Sequence, residues 1–137
     1  MKPITLTDHH NTPYLTIQPR DDNVIYKEWR GANLQEDKII TGYQKSLEHA
    51  SLNQYNYIIN DKRKVSGTWD QPLEWIVSTY FPAIAHEGIE KLALIEPWEI
   101  FSRLSSTLFY HKAKNFVDIK LFKTYEEAYQ WVEGHNK

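Results

Sequence analysis

The chain of 137 residues has no cysteine, a single methionine and only five glycines. Without cysteine there is no disulfide scaffold, no Cys-type zinc site, no iron–sulfur centre and no thiol nucleophile. A surplus of positive charge is missing too: 16 Lys+Arg stand against 18 Asp+Glu, a net charge of −2. A nucleic-acid binder needs cations to displace phosphate counterions, so this balance speaks against that partner. Long hydrophobic runs are absent. The longest apolar-rich stretch, Trp75 to Ala85, is interrupted by Ser78, Thr79 and Pro82 and falls short of the roughly 20 residues that cross a bilayer. Met1 to Asn11 carries no continuous apolar segment of the secretory kind. The expectation is a cytoplasmic protein without membrane insertion. No internal repeat and no low-complexity tract is visible.

What is there suits a folded domain. Apolar residues make up 41%, charged residues 25% and aromatic residues 14%, which excludes a disordered chain. The length fits one domain. We assign residues 1–12 to a flexible N-terminal segment and residues 13–137 to a single α/β domain.

Tyr14-Leu15-Thr16-Ile17, bracketed by Pro13 and Pro19, alternates like a short strand. Val24 to Trp29 is a second strand, reached through the Asp/Asn-rich turn Arg20 to Asn23. Asn33 with Glu36 has capping-box spacing and predicts a helix from Leu34 to about Ala50, with Ile39, Ile40, Tyr43, Leu47 and Ala50 inward. Gly42 within it marks close packing on the sheet. Tyr55 to Asp61 reads as a third strand that leaves the sheet as the charged loop Asp61 to Lys64. Thr68 and Gln71 then cap a second helix through Trp75, Tyr80 and Phe81, which Pro82 kinks or interrupts, with a stop at His86-Glu87-Gly88. Lys91 to Ile95, almost wholly apolar, suits an inner parallel strand. A third helix from Trp98 to about His111, a fifth strand from Phe116 to Phe122, and a fourth helix capped by Thr124 complete the chain. The order ββαβαβαβα predicts a five-stranded, mostly parallel mixed sheet with helices packed on it. Ligands bind beyond the carboxyl ends of such strands, here Trp29–Ala32, Asp61–Thr68, Glu96–Trp98 and Phe122–Thr124.

Glu74-Trp75-Ile76, Phe81-Pro82, Gly88 to Ile95, Pro97, Ile100-Phe101, and then Thr124 to Ala128 before Trp131 together form a pattern. It resembles the STAS-like, SpoIIAA-like proteins of bacteria, in particular small uncharacterised ones of the Bacteroidetes, over about residues 22–134. The resemblance implies a STAS-like fold and a regulatory, protein-binding role. In that family a serine in an Asp-x-Ser pattern after the third strand is phosphorylated. This chain has no Asp-x-Ser there; Ser66 and Thr68 are the nearest equivalents, and no phosphorylation switch is expected.

Candidate chemistry is sparse. Six histidines are scattered, and no His-x-x-x-His or Glu-x-x-His pair puts two metal ligands on one helical face, so no metal and no cofactor are expected. Asp61 at a strand end suits a general base or a ligand contact, or simply a partner for Lys62, Arg63 or Lys64. Arg63 and Lys64, with Lys62, make a compact basic patch that suits an anion, or a solvated loop. Trp69, Trp75, Tyr80, Trp98 and Phe101 supply core, an apolar pocket or a docking face. The ligand- or partner-binding candidates are therefore Asp61, Arg63, Lys64, Ser66, Thr68, Trp69, Trp75, Tyr80, Trp98 and Phe101, with no catalytic residue assigned. The first reading is a non-enzymatic STAS-like regulatory or protein-binding domain. The second and third helices carry more apolar residues than one buried stripe needs, which predicts a homodimer. The alternative is a carrier or sensor of a small apolar or amphipathic ligand in a pocket lined by those two helices. A hydrolytic enzyme ranks third.

Overall fold

Alternating apolar positions build an antiparallel meander: β1 (Ile4–Thr7), β2 (Pro13–Arg20) and β3 (Val24–Ala32). The tight turn between β2 and β3 holds Asp22 and Asn23 at φ 63°, a conformation these side chains tolerate better than most. From β3 the sheet continues in parallel through β4 (Tyr57–Ser66), β5 (Lys91–Ile95) and β6 (Asp118–Phe122), giving the six-stranded order β1-β2-β3-β4-β5-β6. This computed structural model describes residues 2–67 and 69–134, apart from the side chains of Asp70, Gln71 and Phe101. It is an α/β fold with a mixed sheet, and β5 lies inside it as its apolar composition predicts.

Every parallel step moves to the adjacent strand in the same direction. Right-handed crossovers then place all connecting helices on one face. These are α1 (Glu36–Leu52), the pair α2 (Asp70–Trp75) and α3 (Phe81–His86), and α4 (Arg103–Ala113). They bury Ile39, Tyr43, Tyr80, Phe81 and Phe109 against Leu15, Ile25, Trp29, Ile58 and Leu92. The last helix, α5 (Tyr125–Glu133), covers the other face with Ala128 and Val132 against Val24, Tyr26, Ile59, Ala93 and Ile95.

Four expectations need correction. The sheet has six strands, not five: Ile4–Thr7, assigned above to a flexible segment, pairs with β2 through Ile4 with Ile17 and Leu6 with Leu15. Four residues are too few for alternation to stand out in a sequence. The charged run Asp61 to Lys64 is not a loop but the continuation of β4, because β3 extends to Ala32 and supplies ladder partners as far as Ser66. Asn33 does not cap the first helix; its φ of 53° and its N–H bond to the Ser66 carbonyl (2.8 Å) tie it to the sheet, and the helix starts at Glu36. The third helix begins with a short 3₁₀ turn at Ile100–Ser102 rather than at Trp98.

Pro82 does not end its helix. A π-helical turn, Ile76–Tyr80, joins α2 to α3, and Pro82 falls in the first turn of α3. The wider turn absorbs the ring and the missing N–H that an α-helical interior would not accept. Gly42 packs α1 onto the sheet as expected, since a Cβ there would collide with the Trp29 ring.

Candidate functional site

Successive residues of a strand face opposite sides of a sheet. On β3 this sends Ile25, Lys27 and Trp29 under the helices, and on β4 Ile58, Asn60 and Lys62. Lys27 and Asn60 are ladder neighbours. Two lysines are thus placed in a core: Lys27 is 1% exposed and Lys62 2%. Among the described residues neither forms an ion pair. Burial pushes both amines down, each to about 7. The physical cause is the cost of holding an ammonium ion away from water.

Aromatic rings lie against both amines. Lys27 Nζ lies 4.8 Å from the Tyr43 ring centre and donates to the Tyr80 hydroxyl at 2.7 Å. The π-helical turn ends on Tyr80 and delivers it to this spot. Trp29 Nε1 donates to Asn60 Oδ1 at 2.7 Å, and Asn60 Nδ2 reaches the Tyr43 hydroxyl at 3.5 Å. This half of the cluster is satisfied. Desolvation holds the Tyr43 and Tyr80 hydroxyls well above the ordinary tyrosine range, so both stay neutral and remain hydrogen-bonding groups.

The second half is different. Lys62 Nζ sits 3.9 Å from the Trp69 ring centre and 5.3 Å from that of Phe109. Among the described residues none accepts a hydrogen bond from it, and nearby Trp69 Nε1 and Ser106 Oγ are the groups buried without a partner. Ser106 shares the inner face of α4 with Phe109, three residues on. The neighbouring Ser105 Oγ accepts the backbone N–H of Trp69 at 3.1 Å and pins the start of α2 to α4. Alternation places Lys62 here, and a bulge begins at it. Glu28 pairs with Asp61 and Arg30 with Lys64, so Lys62 and Arg63 together oppose Trp29.

The residues singled out in the sequence are divided between two faces. Trp69 and Tyr80 belong to the lysine cluster, and Trp75 packs partly buried against the same core. Asp61, one position from Lys62, points the other way. It accepts the Tyr26 hydroxyl at 2.6 Å and pairs with the Arg63 guanidinium at 2.7 Å. Lys64 approaches Glu28 at 3.5 Å, and Arg30 donates to the same carboxylate. Burial raises the Glu28 carboxyl, but Arg30 and Lys64 outweigh it and hold it below the usual range. The three basic residues therefore form no common patch: Lys62 is buried under the helices, while Arg63 and Lys64 are engaged by carboxylates on the opposite side. Ser66 ends β4, its carbonyl taken by Asn33. Thr68 and the Phe101 side chain lie outside the described residues. Lys27, Asn60 and Ser106 were missed. The signal for Lys27 was present, since it occupies an inward position between Ile25 and Trp29.

Near the same end, four large apolar side chains face solvent: Trp98, Ile100, Leu104 and Leu108, exposed by 62%, 65%, 68% and 46%. Between α2, the π-helical turn and α4 runs a groove of about 370 Å³ lined by Leu73, Glu74, Val77, Ser78 and Lys112. Leu73 and Val77 follow Trp69 at steps of four residues along its inner wall. Among the described residues no group of His, Asp and Glu is arranged to hold a metal ion, and no helix is long and apolar enough to cross a membrane. Set beside known proteins, the chain matches no protein-family model, no curated protein and no solved structure.

Proposed function

We propose that this chain is a non-enzymatic carrier or sensor of a small amphipathic molecule, held between the sheet and the helices with its polar end toward the buried lysines. The observation that carries this is the pair Lys27 and Lys62, two amines of one sign in one core, neither paired with a carboxylate among the described residues. A core built only for stability would gain by replacing them with apolar residues, since unpaired buried charge is costly. The groove between α2 and α4 offers the apolar half of a site. Native mass spectrometry of the purified protein, followed by organic extraction, tests it. The expected result is an adduct that is lost on denaturation. A bare chain mass, together with no thermal shift from any amphiphile of either charge, would refute it.

A second reading is a STAS-like regulatory domain that acts through protein contact, and the exposed row Trp98, Ile100, Leu104 and Leu108 favours it. The one-directional βα succession is compatible with such a fold. Ile100, Leu104 and Leu108 recur every four residues, and an aliphatic row of this kind is complementary to a two-fold copy of itself. A second copy of this chain is the occupant this reading names.

A further inference from the structure

Lys62 and the two unpartnered groups near it share one property: all donate. Lys62 Nζ lies against the Trp69 and Phe109 rings, and the two buried, unpartnered groups beside it are the indole N–H of that same Trp69 and the hydroxyl of Ser106, on the α4 face that carries Phe109. Each is at least nine-tenths buried: Lys62 at 2%, Trp69 at 4% and Ser106 at 0% exposure. Leaving such donors unpaired is costly, and native cores avoid it. Lys27 presents no such demand, because Tyr80 already accepts from it.

We infer that Lys62, Trp69 Nε1 and Ser106 Oγ form the head-group site for a carboxylate, the polar end of the amphipathic molecule proposed above. The inference rests on that proposal and adds the class of ligand. The charge fits, since the single free ammonium of Lys62 balances a monoanion, whereas a phosphate monoester would bring nearly two negative charges to it. Valence fits as well: a carboxylate offers about four lone-pair sites over two oxygens, enough for three donors. A neutral carbonyl oxygen has two and leaves the ammonium unbalanced. Trp69 and Phe109 flank Lys62, and Leu73 and Val77 of the groove lining follow Trp69 along the same helical segment. Lys112 stands in the groove lining and would be the anchor if the molecule lay the other way round.

A carboxylate beside Lys62 stabilises its protonated form, so binding takes up a proton wherever the free amine is neutral. Because burial has brought that amine to about 7, uptake occurs above neutral pH. Affinity then weakens by about tenfold per pH unit over the range where the free amine is neutral and the bound one protonated. The probes are octanoate, dodecanoate and 4-phenylbutyrate, each beside its neutral amide, in isothermal titration at pH 6, 7, 8 and 9 in buffers of differing ionisation enthalpy.

The expected result is that at least one acid binds with proton uptake at pH 8 and at least tenfold more tightly at pH 7 than its amide. Lys62→Met should abolish the pH slope; Ser106→Ala and Trp69→Phe should each weaken binding several-fold and keep the slope; Lys112→Ala should keep both the slope and the preference for acid over amide. Acid and amide binding alike without proton uptake would overturn the head-group assignment and leave the amphiphile reading standing. Binding lost in Lys112→Ala but kept in Lys62→Met would reverse the orientation and overturn it too. No binding of any acid or amide would fail both, and the donors would then be satisfied by water alone.

Discussion

Lys27 and Lys62 make this core sensitive to pH in an unusual direction. Their amines lie near 7 in the folded chain against 10.5 in the unfolded one. Between pH 7 and 9 the unfolded chain therefore binds more protons, and stability rises with pH by about 1.4 kcal/mol per unit for each lysine. Above about pH 10 the tyrosines of the unfolded chain ionise and reverse the trend, because Tyr43 and Tyr80 resist ionisation in the fold. Urea unfolding at pH 7, 8 and 9 should show the rise, and Lys62→Met or Lys27→Met should each remove about half of it. Tyr80→Phe takes away the acceptor of Lys27 and should cost about 1–3 kcal/mol; on a Lys27→Met background the same change should cost far less, and that difference isolates the bond. None of this was legible as chemistry in the sequence. Alternation did place position 27 inward, yet a lysine at an apolar position reads as a break in the pattern. For Lys62 the position was hidden because three basic residues in a row suggest a loop, so alternation from Ile58 and Asn60 was not carried on to it.

Elements show the reverse balance, since strong local signals survived folding. Thr124 caps α5, its hydroxyl accepting the Glu127 N–H at 3.2 Å, and Thr124→Ala should destabilise the protein by about 1 kcal/mol in chemical denaturation. Gly88, at φ 96°, stops α3 where its sequence places the stop. The apolar run of β5 went to the sheet interior. Failures came where a neighbouring strand decided the outcome. β4 runs five residues past Asp61 only because β3 is there to pair with it, and Asn33 leaves its capping role because Ser66 offers it a carbonyl. The π-helical turn belongs to the same class. Pro82 announces a disturbance, but its form was set by the need to seat Ile76, Tyr80, Phe81 and Ile84 on one core. Pro82→Ala restores an N–H there, and the expected outcome is a protein that keeps its helical far-ultraviolet signal and the Tyr80 contact. A changed near-ultraviolet tyrosine signal would show that the proline dictates the turn.

At the scale of the molecule, the exposed row on α4 bears on self-association. Under the two-fold reading, light scattering at micromolar concentrations should give twice the chain mass, and Leu104→Glu should return it to one chain without loss of thermal stability. A single-chain mass for the unsubstituted protein, concentration-independent, would end that reading. The strand order carries a different consequence. Each strand of this sheet pairs with the one made just before it, so a growing chain can extend an existing edge instead of waiting for a distant partner. The helices under Lys62 arrive along the way, each between its two strands. Among the described elements the opposite face has one cover, α5, and it is made after all six strands. Until Ala128 and Val132 emerge, Val24, Tyr26, Ile59, Ala93 and Ile95 lie bare on a sheet already assembled. On the ribosome this protein is a half-dressed sandwich, with one side finished and the other open to chaperones or to its nascent neighbours on the same messenger.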